Sequence, residues 1–217
     1  MAAREHEGLL GDAVYADLVD RIFRGELRSG MPLSVPALAA QLNVSRSPVR
    51  DSVQRLIADG LAVHTPHAGA RVATLTEADV VQVMTVREPL DGLAAREAVA
   101  HARADDIAEL RALLRAQEEG LAEEDPTADA RRDLAFHTAI RDLARNRVLS
   151  DALHRLDSIA HLHDAGLWSD ASGRAAALAE HTAIVDAIER GDVVGAEASA
   201  RAHVASLLVR MRRRALG

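Results

Sequence analysis

In the stretch RRDLAFHTAIRDLARN, Asp133 and His137 stand four residues apart. On a helix that spacing puts both side chains on one face, about one turn apart. Further along, EHTAIVDAIERGD carries His181 near the start of another helical pattern, and ARAHVASLL carries His203 in the last one. One carboxylate and three imidazoles from three helices of a bundle could enclose a divalent cation and leave positions open for water or a ligand. Each histidine also has a plain structural alternative. His181 suits a helix start, and His203 lies beside Val204 and Leu207, where a satisfied, partly buried imidazole is common. With ten histidines in the chain, spacing alone leaves both readings open.

A second chemistry is written in LNVSRSPVRDSVQRLIADGL, residues 42–61. A helix whose first turn offers Ser45, Arg46, Ser47 and Arg50 suits the major groove of DNA, because its N-terminal residues can reach base edges. Arginine pairs in bidentate fashion with guanine O6 and N7, while hydroxyls, backbone N–H groups and a second arginine hold phosphate. A Pro/Gly-bearing tip follows, His67-Ala68-Gly69-Ala70-Arg71, which could approach the neighbouring minor groove. The alternative is a solvated arginine face. The coincidence of cap, breakers and following tip favours DNA contact.

The elements that must position these groups follow from composition and period. The chain has 217 residues and a formal net charge of −7; 48% of residues are hydrophobic and only 2% aromatic. Its cores must therefore be packed from Ala, Leu, Val and Ile, and the Ala/Leu bias favours helices. Absence of cysteine excludes disulfides and thiolate ligands. No run approaches the roughly 18–20 apolar residues of a membrane span, and the N-terminus lacks a signal-peptide pattern. A soluble cytoplasmic protein is expected. Residues 1–75 hold eight arginines and eight acidic residues, so the whole −7 lies in residues 76–217. Overall acidity therefore says little against a local DNA-binding field.

Val14, Leu18 and Ile22 predict a helix over 12–24, VPALAAQLN a second, and Val49, Val53, Leu56 and Ile57 a third, with Ser45 as side-chain cap. LAVHTPHAGARVATL changes to a strand period and predicts a two-stranded hairpin. Residues 1–75 thus read as a winged helix-turn-helix. Residues 76–217 read as an all-α bundle of six or seven helices, near 77–101, 105–121, 128–144, 147–165, 174–190 and 192–214. Thr76 and Asp79 resemble a capping box, and Pro89 should kink or split the first bundle helix. The fold class expected is mainly α with a small β-hairpin wing.

The run VSRSPVRDSVQRL followed by DGL resembles the winged-helix domain of GntR-family transcription regulators. That resemblance implies operator contacts from Arg46 and Arg50 and a wing at Gly69. Where the preceding helix often supplies an Arg or Glu, this chain has Pro36 and Ala37, which implies a missing auxiliary phosphate contact. The helical region resembles the FCD effector domain of the FadR-like subfamily, in its metal-binding branch. VREPLDGLAAREAV, the D-x3-H pair, the later histidines and ARNRVL carry the likeness; both resemblances together span about residues 10–212. They imply that Asp133, His137, His181 and His203 hold a divalent metal, zinc first, with nickel, manganese or iron as alternatives. They also imply that Arg87 and Asn146 line a cavity for a small organic acid. Arg87 could instead pair with an acid of the bundle, and Arg141 and Arg145 read as surface charges.

The reading that joins these parts is a ligand-responsive regulator, acting as a homodimer on a palindromic operator and repressing until its effector binds. One alternative makes the cation itself the signal. Another, a metalloenzyme, lacks an evident general base and would leave the arginine segment without purpose.

Overall fold

The computed structural model describes residues 2–123, 125–163 and 170–215. A four-residue recurrence lines Val14, Leu18 and Ile22 along one stripe of a helix. All three are buried on α1 (Ala2–Phe23), which starts well before residue 12. α2 (Val35–Leu42) ends at Asn43 in a left-handed conformation, φ 53°. α3 (Arg46–Ala58) buries Val49, Val53 and Leu56 against α1 and α2. Ser45 has the extended backbone of an N-cap, but its hydroxyl makes no capping bond. The reason lies in Pro48. It occupies the third helical position and removes one of the two N–H groups, those of the second and third residues, that a capping oxygen can accept from.

β1 (Ala62–Thr65) and β2 (Gly69–Val72) pair antiparallel, Ala62 opposite Val72 and Thr65 opposite Gly69. The far edge of β2 is paired too. Gly30 N–H donates to Val72 O (3.0 Å), Val72 N–H to Met31 O (2.9 Å) and Leu33 N–H to Ala70 O (2.8 Å). This is a winged helix-turn-helix whose hairpin is held from both sides of its second strand.

Thr76 then caps α4 (Glu77–His101) through the expected box: Asp79 N–H donates to Thr76 Oγ1 at 3.2 Å and Thr76 N–H to Asp79 Oδ2 at 2.8 Å. α5 (Ala104–Gly120), α6 (Pro126–Leu143), α7 (Arg147–His163), α8 (Ala171–Glu189) and α9 (Val193–Ala215) complete a bundle of six helices among the described residues. The break expected at 166–173 lies partly outside them. Pro89 does not split α4. Its missing N–H affects the carbonyl of Thr85, an exposed residue, so water can serve that group. Small residues decide the packing: Ala94, Ala95 and Ala98 of α4 meet Ala196 and Ala200 of α9 in one core. Phe136, wholly buried on α6, supplies the bulk at its centre.

Candidate functional site

α6 presents Asp133 and His137, α8 presents His181 and α9 presents His203, and all four are buried. One nitrogen from each of the three imidazoles lies within 4.8 Å of the others. Asp133 borders two of them, Oδ2 at 3.5 Å from His137 Nε2 and Oδ1 at 3.6 Å from His181 Nε2. The three histidines expected to share an ion therefore converge, with Asp133 beside two of them.

What orients the rings was not foreseen. Gln117 on α5 donates its Nε2–H to the Arg132 carbonyl at 3.3 Å, which turns its Oε1 toward His181 Nδ1, 2.8 Å away. An amide oxygen only accepts, so His181 carries its proton on Nδ1. His203 Nδ1 lies 2.8 Å from Glu180 Oε2, and Arg210 donates to the same carboxylate at 2.8 and 2.9 Å. Burial works to raise the Glu180 pKa, but hydrogen bonds from His203 and Arg210 win and hold it at about 2. A carboxylate accepts, so His203 Nδ1 is the donor. The two Nε2 atoms lie 3.4 Å apart. Phe136 stacks on His181 with centroids 4.1 Å apart and keeps that ring from turning.

Burial is the largest cause holding His181 at about 3; the neighbouring His203 adds to it and Asp133 opposes it. His137 is pushed well below its usual value, again by burial first, with Asp133 opposing. Unfolded histidines titrate near 6.5, so below that pH the unfolded chain takes up protons that the folded chain refuses. Stability of the metal-free protein should thus be full above about 6.5 and be lost progressively as pH falls toward 3. Urea midpoints that stay level between pH 7 and pH 5 would contradict this.

Two small recesses flank the cluster. One, of about 20 Å³, is lined by Gln117, Asp129, Arg132, Asp133, Arg174 and His181. The other, of about 10 Å³, is lined by Asp91, Phe136, His137 and His203 among others. A water needs about 10–15 Å³, so each recess is of the order of one water, and neither is lined by all four residues.

Arg87 shows the internal pairing. It is wholly buried, with Nε 3.2 Å from Asp91 Oδ2 and Nη2 2.8 Å from Asp157 Oδ1. Arg141, expected on the surface, is instead buried and pairs with Asp157 while donating to Thr138 at 2.8 Å. It follows His137 by one turn on the same inward face, which is why it cannot reach solvent. Arg145 is exposed, as expected. Asn146 accepts from Leu149 N–H at 3.2 Å and donates to Glu97 at 3.0 Å, so it fixes the start of α7 and lines neither recess.

At the other end of the molecule Ser45, Arg46, Ser47, Arg50, His67 and Gly69 are all exposed. Arg50, Gln54, His64 and Gly69 line one groove of about 390 Å³ between α3 and the wing, with Ser34 at the start of α2. His67 takes φ +61° and Gly69 φ +80°, so the tip turns through left-handed conformations that glycine adopts freely. Arg55, by contrast, is occupied: it pairs with Asp12 at 2.6 Å and lies over the Tyr15 ring at 4.1 Å. Arg50→Ala should weaken binding to a duplex selected from random sequence by about 1–3 kcal/mol and lower its salt slope by about one. An unchanged slope would remove Arg50 from the contacts.

A winged helix-turn-helix ahead of an all-α sensor-like bundle is the build of a DNA-binding transcription regulator. The chain belongs to the gntR family of bacterial regulatory proteins: the family's model matches residues 10–72, and the FCD domain model matches residues 82–206. It is 33% identical over 193 residues to a probable D-xylose utilization operon transcriptional repressor of Paenarthrobacter nicotinovorans, covering 88% of this chain and 84% of that one. It is 28% identical to the HTH-type transcriptional regulator LutR of Bacillus subtilis, covering 86% and 94%. In fold it is similar to E. coli McbR/YncC, with TM-score 0.83 at 20% identity over 94% of this chain and 98% of that one. These are regulators, not enzymes. No helix of the described residues is long and apolar enough to cross a membrane.

Proposed function

We propose that this regulator holds one divalent cation, zinc by preference, on Asp133, His137, His181 and His203, and that a small monocarboxylate completing the site alters operator affinity. The observation that carries the metal is the convergence of three buried imidazoles, with His181 Nε2 and His203 Nε2 3.4 Å apart. With each ring protonated on Nδ1 alone, two bare acceptors at that distance would repel. Tetrahedral zinc with Zn–N bonds of 2.0–2.1 Å sets its nitrogens about 3.3 Å apart, so His181 and His203 already stand at the spacing a shared ion needs, with a nitrogen of His137 within 4.8 Å of both. A proton on one ring would relieve only that pair, whereas a dication relieves all three imidazoles and Asp133.

The charge balance supports the ligand class. Arg210 offsets Glu180, and Arg87 with Arg141 offset Asp91 with Asp157. Asp133 leaves a bound dication one positive charge in excess, and a buried excess charge is costly unless paired. A single carboxylate pairs it. Recesses of about 20 and 10 Å³ do not admit an organic acid without side-chain movement, which favours a second reading in which the ion alone is the signal. DNA recognition would use Ser45, Arg46, Ser47 and Arg50 with the His67–Gly69 tip. Two copies on a palindrome would supply the discrimination one helix lacks.

Calorimetric titration of chelator-stripped protein with zinc should give one ion per chain. A thermal-shift screen of small hydroxy and sugar acids against the loaded protein should then find stabilisers. No zinc uptake sinks the metal reading. Zinc uptake that alone changes DNA affinity, with every acid silent, selects the second.

A further inference from the structure

We infer that α7 is the element that carries occupancy of the histidine centre to the recognition helix, through a buried quartet of charges. This rests on the proposed site and names how it would regulate DNA binding. Asp91 lines the recess that also holds His137 and His203. Arg87 joins Asp91 (3.2 Å) to Asp157 (2.8 Å), and Arg141, one turn after His137 on α6, takes the other oxygen of Asp157. Arg87, Arg141 and Asp157 are no more than 3% exposed. The quartet therefore ties α4, α6 and α7 into one buried unit.

Asp157 is the α7 member, and α7 also reaches the DNA-binding unit. Ile159 packs directly over Gly60: a β-carbon there would stand 2.8 Å from both Ile159 Cγ1 and Cδ1, with Arg155 Nε 3.7 Å away. His154 Nε2 lies 3.6 Å from Asp59 Oδ1. Asp59 and Gly60 are the residues that close the recognition helix α3. One helix thus has one face locked beside the proposed ion and its flank seated on the end of the segment that reads DNA. Arg131 also bridges to Asp20, with the arginine half exposed, and that pair ends on α1 rather than α3. Pairs of that kind couple weakly.

Movement of the metal ligands on α6 changes the seat of Arg141, and buried ion pairs cannot stretch without large loss. The helix must follow. Amide hydrogen exchange tests this without knowledge of the operator or the acid. In full-length chelator-stripped protein, adding zinc should change exchange at residues 56–62 by on the order of tenfold, the middle of the usual coupling range. Ile159→Ala should bind zinc with unchanged stoichiometry yet lose that response, and Asp157→Asn should do the same. Arg131→Ala should keep it. Ile159 stands outside the quartet, so its variant decides the matter even where Asp157→Asn fails to fold. A response that persists in Ile159→Ala, or wild-type protein that binds zinc with no change at residues 56–62, overturns α7 as the carrier while leaving the metal site standing. Wild-type protein that takes up no zinc overturns both.

Discussion

His181→Ala is expected to lose at least about 100-fold in zinc affinity, more than removal of a supporting group usually costs a metal site. His181 lies within 3.6 Å of both His203 and Asp133, so its removal takes the donor nearest the middle of the cluster. It also strands Gln117, whose Oε1 was held for that ring. The loss should appear in two independent measurements. Elemental analysis after dialysis should find little zinc, and the thermal upshift on adding zinc should vanish. In the wild type, zinc at 100 times its dissociation constant stabilises by about 2.7 kcal/mol. Glu180→Ala leaves all four ligands in place but frees His203 to rotate and to change tautomer. It should weaken zinc by about 10–100-fold, the range seen when an outer hydrogen-bond partner is removed. Full occupancy in His181→Ala would mean that another set of residues holds the ion.

Asp157→Ala should be the most destabilising single substitution in the bundle. Asp157 is wholly buried, accepts a hydrogen bond from Arg141 and forms an ion pair with Arg87, both arginines being buried themselves. Deleting it leaves two guanidinium charges with Asp91 as their one remaining carboxylate in the quartet. Breaking a buried pair in this way costs about 3–5 kcal/mol, against a total of about 5–15 kcal/mol for a domain. The urea midpoint and the thermal midpoint should both fall sharply. Adding Arg141→Met to Asp157→Ala should recover part of the loss, because an apolar side chain of similar length removes one orphaned charge. A urea-derived change below about 1 kcal/mol for Asp157→Ala would show that water or a rearranged partner serves the arginines.

How far the sequence reveals this centre depends on how local each contact is. Asp133 and His137 are one turn apart in one helix, so their common face was legible at once. Arg141 continues that stripe by one more turn, and the same rule applied once more would have placed it inside. The pairing of Arg87 with Asp91 is also a four-residue relation and could be written down as an option. Gln117 and Glu180 are different. They stand 64 and 23 residues from the rings they orient, and no short-range period links an amide on α5 to an imidazole on α8. The winged helix was legible nearly throughout because stripe, breaker and strand alternation are local signals. The Ser45 cap does not form although serine is a favoured cap residue: Pro48, placed in the first turn by a second local rule, removes one of the two N–H groups that the hydroxyl could accept from.

The paired second edge of β2 has a consequence for kinetics. A loop that orders only on meeting its target surrenders chain entropy at that moment. Here residues 30–33 fasten the His67–Gly69 finger beforehand, so encounter with a duplex demands little further folding there. Association should accordingly be governed by electrostatic steering of the exposed arginines and fall with added salt. Loosening residues 30–33 would slow capture of DNA before it altered which bases are chosen.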